Sequence, residues 1–292
     1  MNVQPASVRT ETLFLLDRNV VSIIKTAVSG KEQPDEKKQA ALEALKAIDL
    51  PQYSISPILS IMEGEKGRED DADQKALCLE TEADAIGQFF KLANTDAAHL
   101  GGLKSLAAQL FVGMRESQWD NRADFLTKAA PLVVQKVATE DRRAVEDKLV
   151  ELAAEAGLAA NDAIVMLFLA CLHGSNDARK VIKPAKPNPY NVLSDLHVIP
   201  RVGLIRAVAR QLPTPVNVLF RTLDEGLFGV LSQVDIVLSH LTDDGELQMQ
   251  IRYKPELFPD LARTDAIAML QRLADTTAAA SGEQAEATNA AG

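Results

Sequence analysis

Short apolar runs that end in an acidic residue constrain the fold of this chain more than any other feature. Residues 12–16 form a mostly apolar run without periodicity, which is typical of a strand buried on both faces. Asp17 ends this run, and a second apolar segment, residues 20–24, then begins a helix. Open α/β sheets bind ligands just beyond the carboxyl ends of their strands. The sequence therefore predicts a strand–helix unit with Asp17 at the ligand-binding edge of a sheet.

A second acid follows the next strand-like stretch. Residues 53–55 favour a strand, and Ser56 followed by a proline is typical of a helix start. Glu63 lies about two turns into this helix, and Glu65 comes two positions later. Because residues two positions apart are separated by roughly 200° around a helix, only one of these acids can face the strand ends. We choose Glu63, which shares one side of the helix with two apolar residues, and Glu65 is the alternative.

Two further acids stand beside apolar segments later in the chain. Asp162 opens a strongly apolar run, residues 163–172, whose alanines and polar start favour a helix. Residues 191–194 favour a short strand that ends at Asp195, and Pro200 is expected to block a helix immediately after it. Asp162 can equally be an ordinary helix-start acid that complements the helix macrodipole.

Other catalytic patterns are missing from the sequence. The four histidines are scattered without metal-ligand spacing, and two cysteines are too few for a zinc site or a disulfide framework. The chain contains no Gly-x-Gly-x-x-Gly, P-loop or Gly-x-Ser-x-Gly motif, so nucleotide-cofactor and acyl-transfer chemistry lack their usual support. With 41 acidic residues, any single acid is weak evidence, and the order of the four acidic segments carries more information.

The order of these segments resembles the PIN-like nuclease domain. In that family a strand ends in Asp-x-Asn, a strand and a serine precede a helix with a glutamate, an aspartate opens an apolar helix, and a strand ends in Ser/Thr-x-Asp or Ser/Thr-Asp. The matching segments are LLDRNVVSII, ISPILSIMEGEKG, NDAIVMLFLACLHG and NVLSDLHVIP. The resemblance covers roughly residues 10–70 and 155–205. It implies a helix-rich α/β fold, a three-layer sandwich with a mostly parallel central sheet.

The resemblance also implies a site made of four catalytic, metal-binding carboxylates with two polar supports. The acids are Asp17, Glu63, Asp162 and Asp195, and the supports are Asn19 and Ser194. Such hard oxygen ligands suit Mg²⁺ or Mn²⁺, which activates water for attack on a phosphodiester. The implied function is a metal-dependent endonuclease, with RNA as the favoured substrate class and DNA as the alternative. The alternative is a catalytically degenerate PIN-like interaction or scaffold protein, in which the acids only cap helices and strands.

The net charge of -10 is unusual for a nucleic-acid enzyme, so the placement of the basic residues matters. Seven of them surround Asp195 in the sequence: Arg179, Lys180, Lys183, Lys186, Arg201, Arg206 and Arg210. Screening confines the influence of each charge to about 10 Å at moderate salt, so a local basic rim can bind phosphates on an acidic protein. Lys183, Lys186 and Arg201 are the candidate substrate contacts. Ordinary solvated surface charge is an equally weighted alternative.

Pattern shifts divide the chain into a core, an extension and a tail. We expect a PIN-like core at residues 8–212, a C-terminal α+β extension at 213–275 and a disordered tail at 276–292. The core contains a helical insertion at about 70–157, with helices expected at residues 76–93, 99–111, 120–138 and 141–156. The extension has strands expected at 216–220, 234–238 and 247–253, with a hairpin turn at 243–245 and a last amphipathic helix at 264–274.

The expected partners follow from these features. The helical insertion is expected to cap the cleft, select the substrate or bind a partner protein. Without a charged-then-apolar leader or a continuous apolar span of about 18 residues, we expect a cytoplasmic protein with no membrane contact. Pairing of two copies into a homodimer is implied by the resemblance alone.

Overall fold

A computed structural model describes residues 11–33, 35–63, 71–102, 104–105, 108–109, 118–214, 216–241 and 247–290. The chain folds into two compact units, and each unit is made of three separate stretches of the sequence. The first unit contains Met1–Arg115, Pro200–Leu223 and Leu238–Met249. The second contains Glu116–Ile199, Asp224–Val237 and Gln250–Gly292.

The first unit is built on a parallel sheet of four strands. These are β1 (Glu11–Leu16), β2 (Tyr53–Ser56), β3 (Asn94–Thr95) and β4 (Val216–Arg221). Their order across the sheet is β3-β2-β1-β4, and every neighbouring pair is parallel. In β1, Phe14 lies opposite Ile55 on one side and Leu219 on the other. The chain moves from β1 outward to β3 and later returns to the opposite side for β4, so the topological switch point lies between β1 and β4.

Five helices of this unit are α1 (Arg18–Val28), α2 (Glu36–Ala47), α3 (Ile58–Glu63), α4 (Ala72–Phe89) and α5 (Ala97–Gly102). Helix α1 packs against α2, α3 and α4. It buries Val20, Val21, Ile23 and Ile24, whose spacing places them on one helix face. These side chains join Phe14 and Ile55 in one hydrophobic core. The sheet and this core hold the start of α1 at the carboxyl edge of β1.

The second unit is mainly helical. Its helices are α6 (Trp119–Ala129), α7 (Arg142–Glu155), α8 (Ala163–Leu172), α9 (Asn176–Ile182), the first part of α10 (Pro189–Gln211), α11 (Glu225–Ser232) and α12 (Arg263–Ala290). Helix α8 is apolar all round, and its residues from Ile164 to Leu172 are buried. It packs against α6, α7 and α9 and forms the centre of this unit. Strands β5 (Val234–Leu241) and β6 (Leu247–Tyr253) form a separate two-stranded sheet, whose residues belong partly to each unit.

The structure around Asp195 differs from the prediction. Residues 191–194, predicted as a strand, lie in helix α10, and this helix continues through Pro200. Leu193 and Leu196 are almost fully buried at helical spacing. A helix interior proline costs about 3 kcal/mol, and burial of several such side chains at about 1.5–3 kcal/mol each outweighs that cost. Asp195 therefore lies inside a long helix and not at the end of a strand.

The remaining predictions about local structure have mixed outcomes. The helix-rich α/β class with a parallel sheet is confirmed, and the described residues form twelve α-helices. Strand β3 was not predicted; it lies within residues 70–157 and pairs with β2, so this part of the predicted insertion belongs to the sheet. Helix α12 extends to Ala290, well beyond the predicted helix end at residue 274. Glu65 and the predicted turn at 243–245 lie outside the described residues.

Within the described part of the chain, no helix has both the length and the hydrophobicity required to cross a bilayer.

Candidate functional site at the carboxyl edge of the parallel sheet

Asp17 is held at the junction of β1, β4 and α1. Its backbone N–H donates a hydrogen bond to the carbonyl of Arg221, the last residue of β4, over 2.9 Å. Its side chain is the N-cap of α1, and Oδ1 accepts from the backbone N–H of Arg18 at 2.9 Å. Only 5% of Asp17 is exposed. The strand register and the helix start together place this carboxylate next to the switch point.

Two neutral polar side chains orient the other oxygen of Asp17. Oδ2 accepts from Asn19 Nδ2 at 2.6 Å and from Thr222 Oγ1 at 2.5 Å. Asn19 Nδ2 also lies 3.1 Å from Thr222 Oγ1, and Asn19 Oδ1 accepts from the backbone N–H of Leu223 at 2.8 Å. Hydrogen bonds to a carboxylate are stronger than those between neutral groups. Asp17, Asn19 and Thr222 therefore form one ordered group, which we call the switch-point cluster.

Glu63 is connected to this cluster through Arg18. It is the last residue of α3, and its side chain is 9% exposed. The Nε of Arg18 lies 3.4 Å from Glu63 Oε1, while the backbone N–H of the same arginine binds Asp17. Helix α3 packs against both α1 and β1. The structure thus brings Asp17, Asn19 and Glu63, three of the predicted site residues, into the first unit beside one arginine.

The same sheet edge carries a second strand-end acid that was not predicted. Ser56 ends β2, and its hydroxyl donates to Asp96 Oδ2, directly after β3. Ser56 Oγ also accepts from the backbone N–H of Ile58, which confirms the predicted serine at the start of α3. Among the described residues, Asp96 Oδ1 has no hydrogen-bond partner. Burial raises the pKa of Asp96, and the bond from Ser56 offsets part of that rise. A strand of two residues leaves almost no pattern from which Asp96 could have been found.

A buried acid lies deeper in this unit, on helix α4. Glu82 is almost completely buried, and its Oε2 has no hydrogen-bond partner within the described structure. Burial raises the pKa of Glu82, while the Ser60 hydroxyl and the charges of Lys25 and Arg18 offset part of the rise. Arg18 therefore interacts electrostatically with Glu82 as well as with Glu63.

Asp162, in the second unit, caps a helix and binds an arginine. Its Oδ1 accepts from the backbone N–H of Ile164 at 3.0 Å, so it is the N-cap of α8. Arg122 Nε and Nη2 donate to Oδ2 at 3.1 and 2.9 Å. Asp162 therefore stands at the start of α8, as the sequence predicted. Tyr253 is buried nearby, and both its burial and the charge of Asp162 raise the pKa of its hydroxyl.

The other predicted residues are divided between the two units. Ser194 is buried and Asp195 half-buried on α10 in the second unit, which also contains the exposed side chains of Lys183 and Lys186. Arg201 is half-buried in the first unit. Three members of the predicted basic cluster bind protein groups. Arg179 donates to the carbonyls of Val133 and Val134, Lys180 pairs with Glu225, and Arg206 donates to the carbonyl of Val218.

Thr222 is the functional candidate that was missed in the sequence. It follows β4, whose position was predicted, and it precedes Leu223 and Asp224. A strand followed by Thr-x-Asp is the pattern expected of the fourth acidic segment, for which Ser194 and Asp195 were chosen instead. Asp224 caps α11, where its Oδ1 accepts from the backbone N–H of Leu227 at 2.9 Å.

The donor types at the sheet edge suit a hard divalent cation. Mg²⁺ usually keeps several waters and takes only one or two protein carboxylates, and Asp17 and Glu63 are two carboxylates bound to one residue. Among the residues that the structure describes, no group of three or more His, Cys, Asp or Glu side chains is arranged to hold a metal ion. Asp17 and Glu63 are the two predicted acids that lie in the first unit, and each contacts Arg18.

Comparisons of the chain with protein-family models, with curated proteins and with solved structures found no match.

Proposed function

We propose that this chain is a metal-dependent endonuclease with a PIN-like core, which hydrolyses phosphodiester bonds. RNA is the proposed substrate, and DNA is the alternative. The observation that carries the proposal is the switch-point cluster. Asp17 stands at the carboxyl end of β1, and Thr222, which binds it, stands at the carboxyl end of β4. Ligands of open parallel sheets bind at this place, in the crevice outside the strand ends where the strand order reverses.

The geometry of the cluster also supports the assignment of Asn19. The resemblance gives the second residue after the aspartate a supporting role, and the amide of Asn19 donates to Asp17. A catalytic carboxylate must be held in one orientation by its neighbours, because small displacements of reacting groups are costly. Asn19 and Thr222 supply that orientation with neutral donors. The three-layer arrangement and the pairing of two copies belong to the same proposal, and the resemblance is their main support. The cytoplasmic location also belongs to it and is supported by the composition of the sequence, which includes only two cysteines.

In this proposal Asp17 and Glu63 hold Mg²⁺ or Mn²⁺. The bound ion would activate a water and stabilise the departing oxygen of the phosphodiester. Asn19 and Thr222 keep the carboxylate of Asp17 in position. Asp162 and Asp195 are the further acids that the resemblance assigns. Lys183, Lys186 and Arg201 are the proposed contacts for backbone phosphates.

The second candidate function is a PIN-like interaction or scaffold protein without catalysis. It is favoured by a specific observation: arginines bind two of the four predicted acids. Arg18 pairs with Glu63, and Arg122 binds Asp162 through two nitrogens. In such a protein the arginines would take the place of a metal as permanent counter-ions, and helices of the predicted insertion would bind a partner protein.

Cleavage of labelled single-stranded RNA and DNA by the purified full chain, with and without Mn²⁺, separates the two functions. Asp17→Asn keeps the size of the side chain and removes its charge. Asp35→Asn is the matched control, because Asp35 is likewise an N-cap acid, at the start of α2. The nuclease proposal expects metal-dependent cleavage that Asp17→Asn abolishes and Asp35→Asn retains. No cleavage, together with no metal-induced gain in thermal stability, would support the scaffold protein.

The same assay assigns the remaining acids. Asp162→Asn and Asp195→Asn each test a residue that the resemblance places in the site, and Asp224→Asn tests the acid of the Thr-x-Asp pattern after β4. If Asp224→Asn abolishes cleavage and Asp195→Asn does not, the fourth acid is Asp224. If all three variants cleave as fast as the wild type, none of these three acids takes part in catalysis.

A further inference from the structure

Arg18 connects the two carboxylates of the proposed metal site. Its backbone N–H donates to Asp17 Oδ1, and its Nε lies 3.4 Å from Glu63 Oε1. Its side chain is 24% exposed, and that of Glu63 is 9% exposed. An ionised carboxylate with so little access to water needs a nearby positive charge or hydrogen-bond donors, because burial of an uncompensated charge is costly. Arg18 supplies that charge.

The position of Arg18 in its helix is unfavourable in itself. It is the first residue of α1, where the partial positive charge of the helix N-terminus repels a cation. The first turn of α1 contains no acid, and the carboxylate of the N-cap residue Asp17 offsets part of this repulsion. An arginine at such a place also gains from compensation outside the helix. Glu63 provides it directly, and buried Glu82 adds a second attraction.

We infer that Arg18 is the resident counter-cation of Glu63 and that a divalent cation which binds Asp17 and Glu63 displaces the Arg18 guanidinium. This inference rests on the metal site proposed above. A guanidinium and a metal ion compete for the same carboxylate oxygens, and their like charges repel at short distance. The ion pair therefore lowers the affinity of the site for metal. The site fills only at a metal concentration high enough for the ion to compete with the Arg18 guanidinium for Glu63.

Equilibrium binding of Mn²⁺ to the full chain tests this competition. The electron paramagnetic resonance signal of free Mn²⁺ reports the bound fraction without any need for catalysis. Arg18→Gln is expected to lower the dissociation constant about fivefold, which corresponds to about 1 kcal/mol for a partly exposed ion pair. Lys25→Gln is the matched control, because it removes the same charge from the same helix about two turns further on. Its effect is expected to stay within about twofold.

A double-mutant cycle with Glu63→Gln tests whether Arg18 acts through Glu63. In that background Arg18 has lost its carboxylate partner, so the gain from Arg18→Gln is expected to disappear. A gain that persists there, or an equal gain in Lys25→Gln, would reduce the effect to general electrostatics and overturn the inference.

The outcomes separate this inference from the proposed function. If the wild type and Arg18→Gln bind Mn²⁺ with equal affinity, the inference fails and the metal site stands. If neither binds Mn²⁺, the metal site fails and the inference fails with it. If Arg18→Gln does not fold, an NMR titration of the wild type with Mg²⁺ tests whether the metal displaces the Arg18 guanidinium. A saturable shift of the Arg18 Nε–H resonance supports displacement, and an unchanged resonance under saturating Mg²⁺ contradicts it.

Discussion

Thr222→Val tests the structural role of the switch-point cluster. The substitution keeps the shape of the side chain and removes the hydroxyl that donates to Asp17 Oδ2 over 2.5 Å. Hydrogen bonds to a charged group contribute about 1.5–3 kcal/mol, and the loss is full when water cannot replace the donor. Asp17 is only 5% exposed, but Thr222 is half-buried, so we expect the lower part of this range. The predicted loss in the free energy of unfolding is about 1.5–2 kcal/mol.

Urea unfolding followed by far-ultraviolet circular dichroism measures this loss. The midpoint should fall while the slope with urea stays constant, since the variant changes stability and not the surface exposed on unfolding. Thr26→Val is the matched control, because the Thr26 hydroxyl donates to the backbone carbonyl of Ser22 in a solvent-exposed hydrogen bond of α1. We expect its effect to stay within about 0.5 kcal/mol.

If Thr222→Val and Thr26→Val unfold at the same urea concentration, the Thr222 hydroxyl does not stabilise the fold through Asp17. A second check uses the Asp17→Asn background, in which the accepting group no longer carries a charge. There the cost of Thr222→Val should fall below its cost in the wild type, because contacting residues are not additive. An unchanged cost would mean that Thr222 stabilises the protein through something other than Asp17.

Two further substitutions test the second unit. Gly226→Ala is expected to cost about 1–3 kcal/mol of stability, because the added Cβ would lie 2.7 Å from Lys180 Cβ. Urea midpoints check this against Gly87→Ala, where a Cβ meets nothing within 4 Å, and equal midpoints would contradict it. Burial raises the pKa of Glu146, but the His173 imidazole and two arginines outweigh burial and hold that pKa below its usual value. A lowered folded-state pKa gives stability that is present above the unfolded value of about 4.3 and lost as the pH falls through the folded value. The wild type should therefore lose its advantage over Glu146→Gln as the pH is lowered from about 5 to 3, whereas parallel stability curves would count against this reasoning.

Local sequence patterns were sufficient to predict the elements that carry Asp17, Asn19 and Ser56. The apolar run of β1, the following Asp-x-Asn and the serine start of α3 each depend on neighbouring residues, and the structure has all three. The same holds for α8, whose alanines and polar start predicted a helix with the observed bounds. Hydrophobic periodicity and capping act within a few residues, so they can be recognised without the tertiary structure.

Patterns failed where long-range contacts decide the structure. Residues 191–194 have a strand-like composition, but burial along one side of α10 makes them helical through Pro200. β3 is only two residues long and exists as a strand because β2 lies beside it. Weak local preference is overruled in both places by packing and pairing with distant residues.

The sequence by itself determined the alternation of strands and helices in the sheet unit, and with it the position of Asp17 at a strand end. Only the tertiary structure decided what surrounds that carboxylate. Thr222 lies 205 residues from Asp17 in the chain, and Glu63 reaches Asp17 through an arginine. A hydrogen bond between residues so far apart leaves no periodicity in the sequence, because it depends on the side-by-side placement of β1 and β4 in the folded sheet.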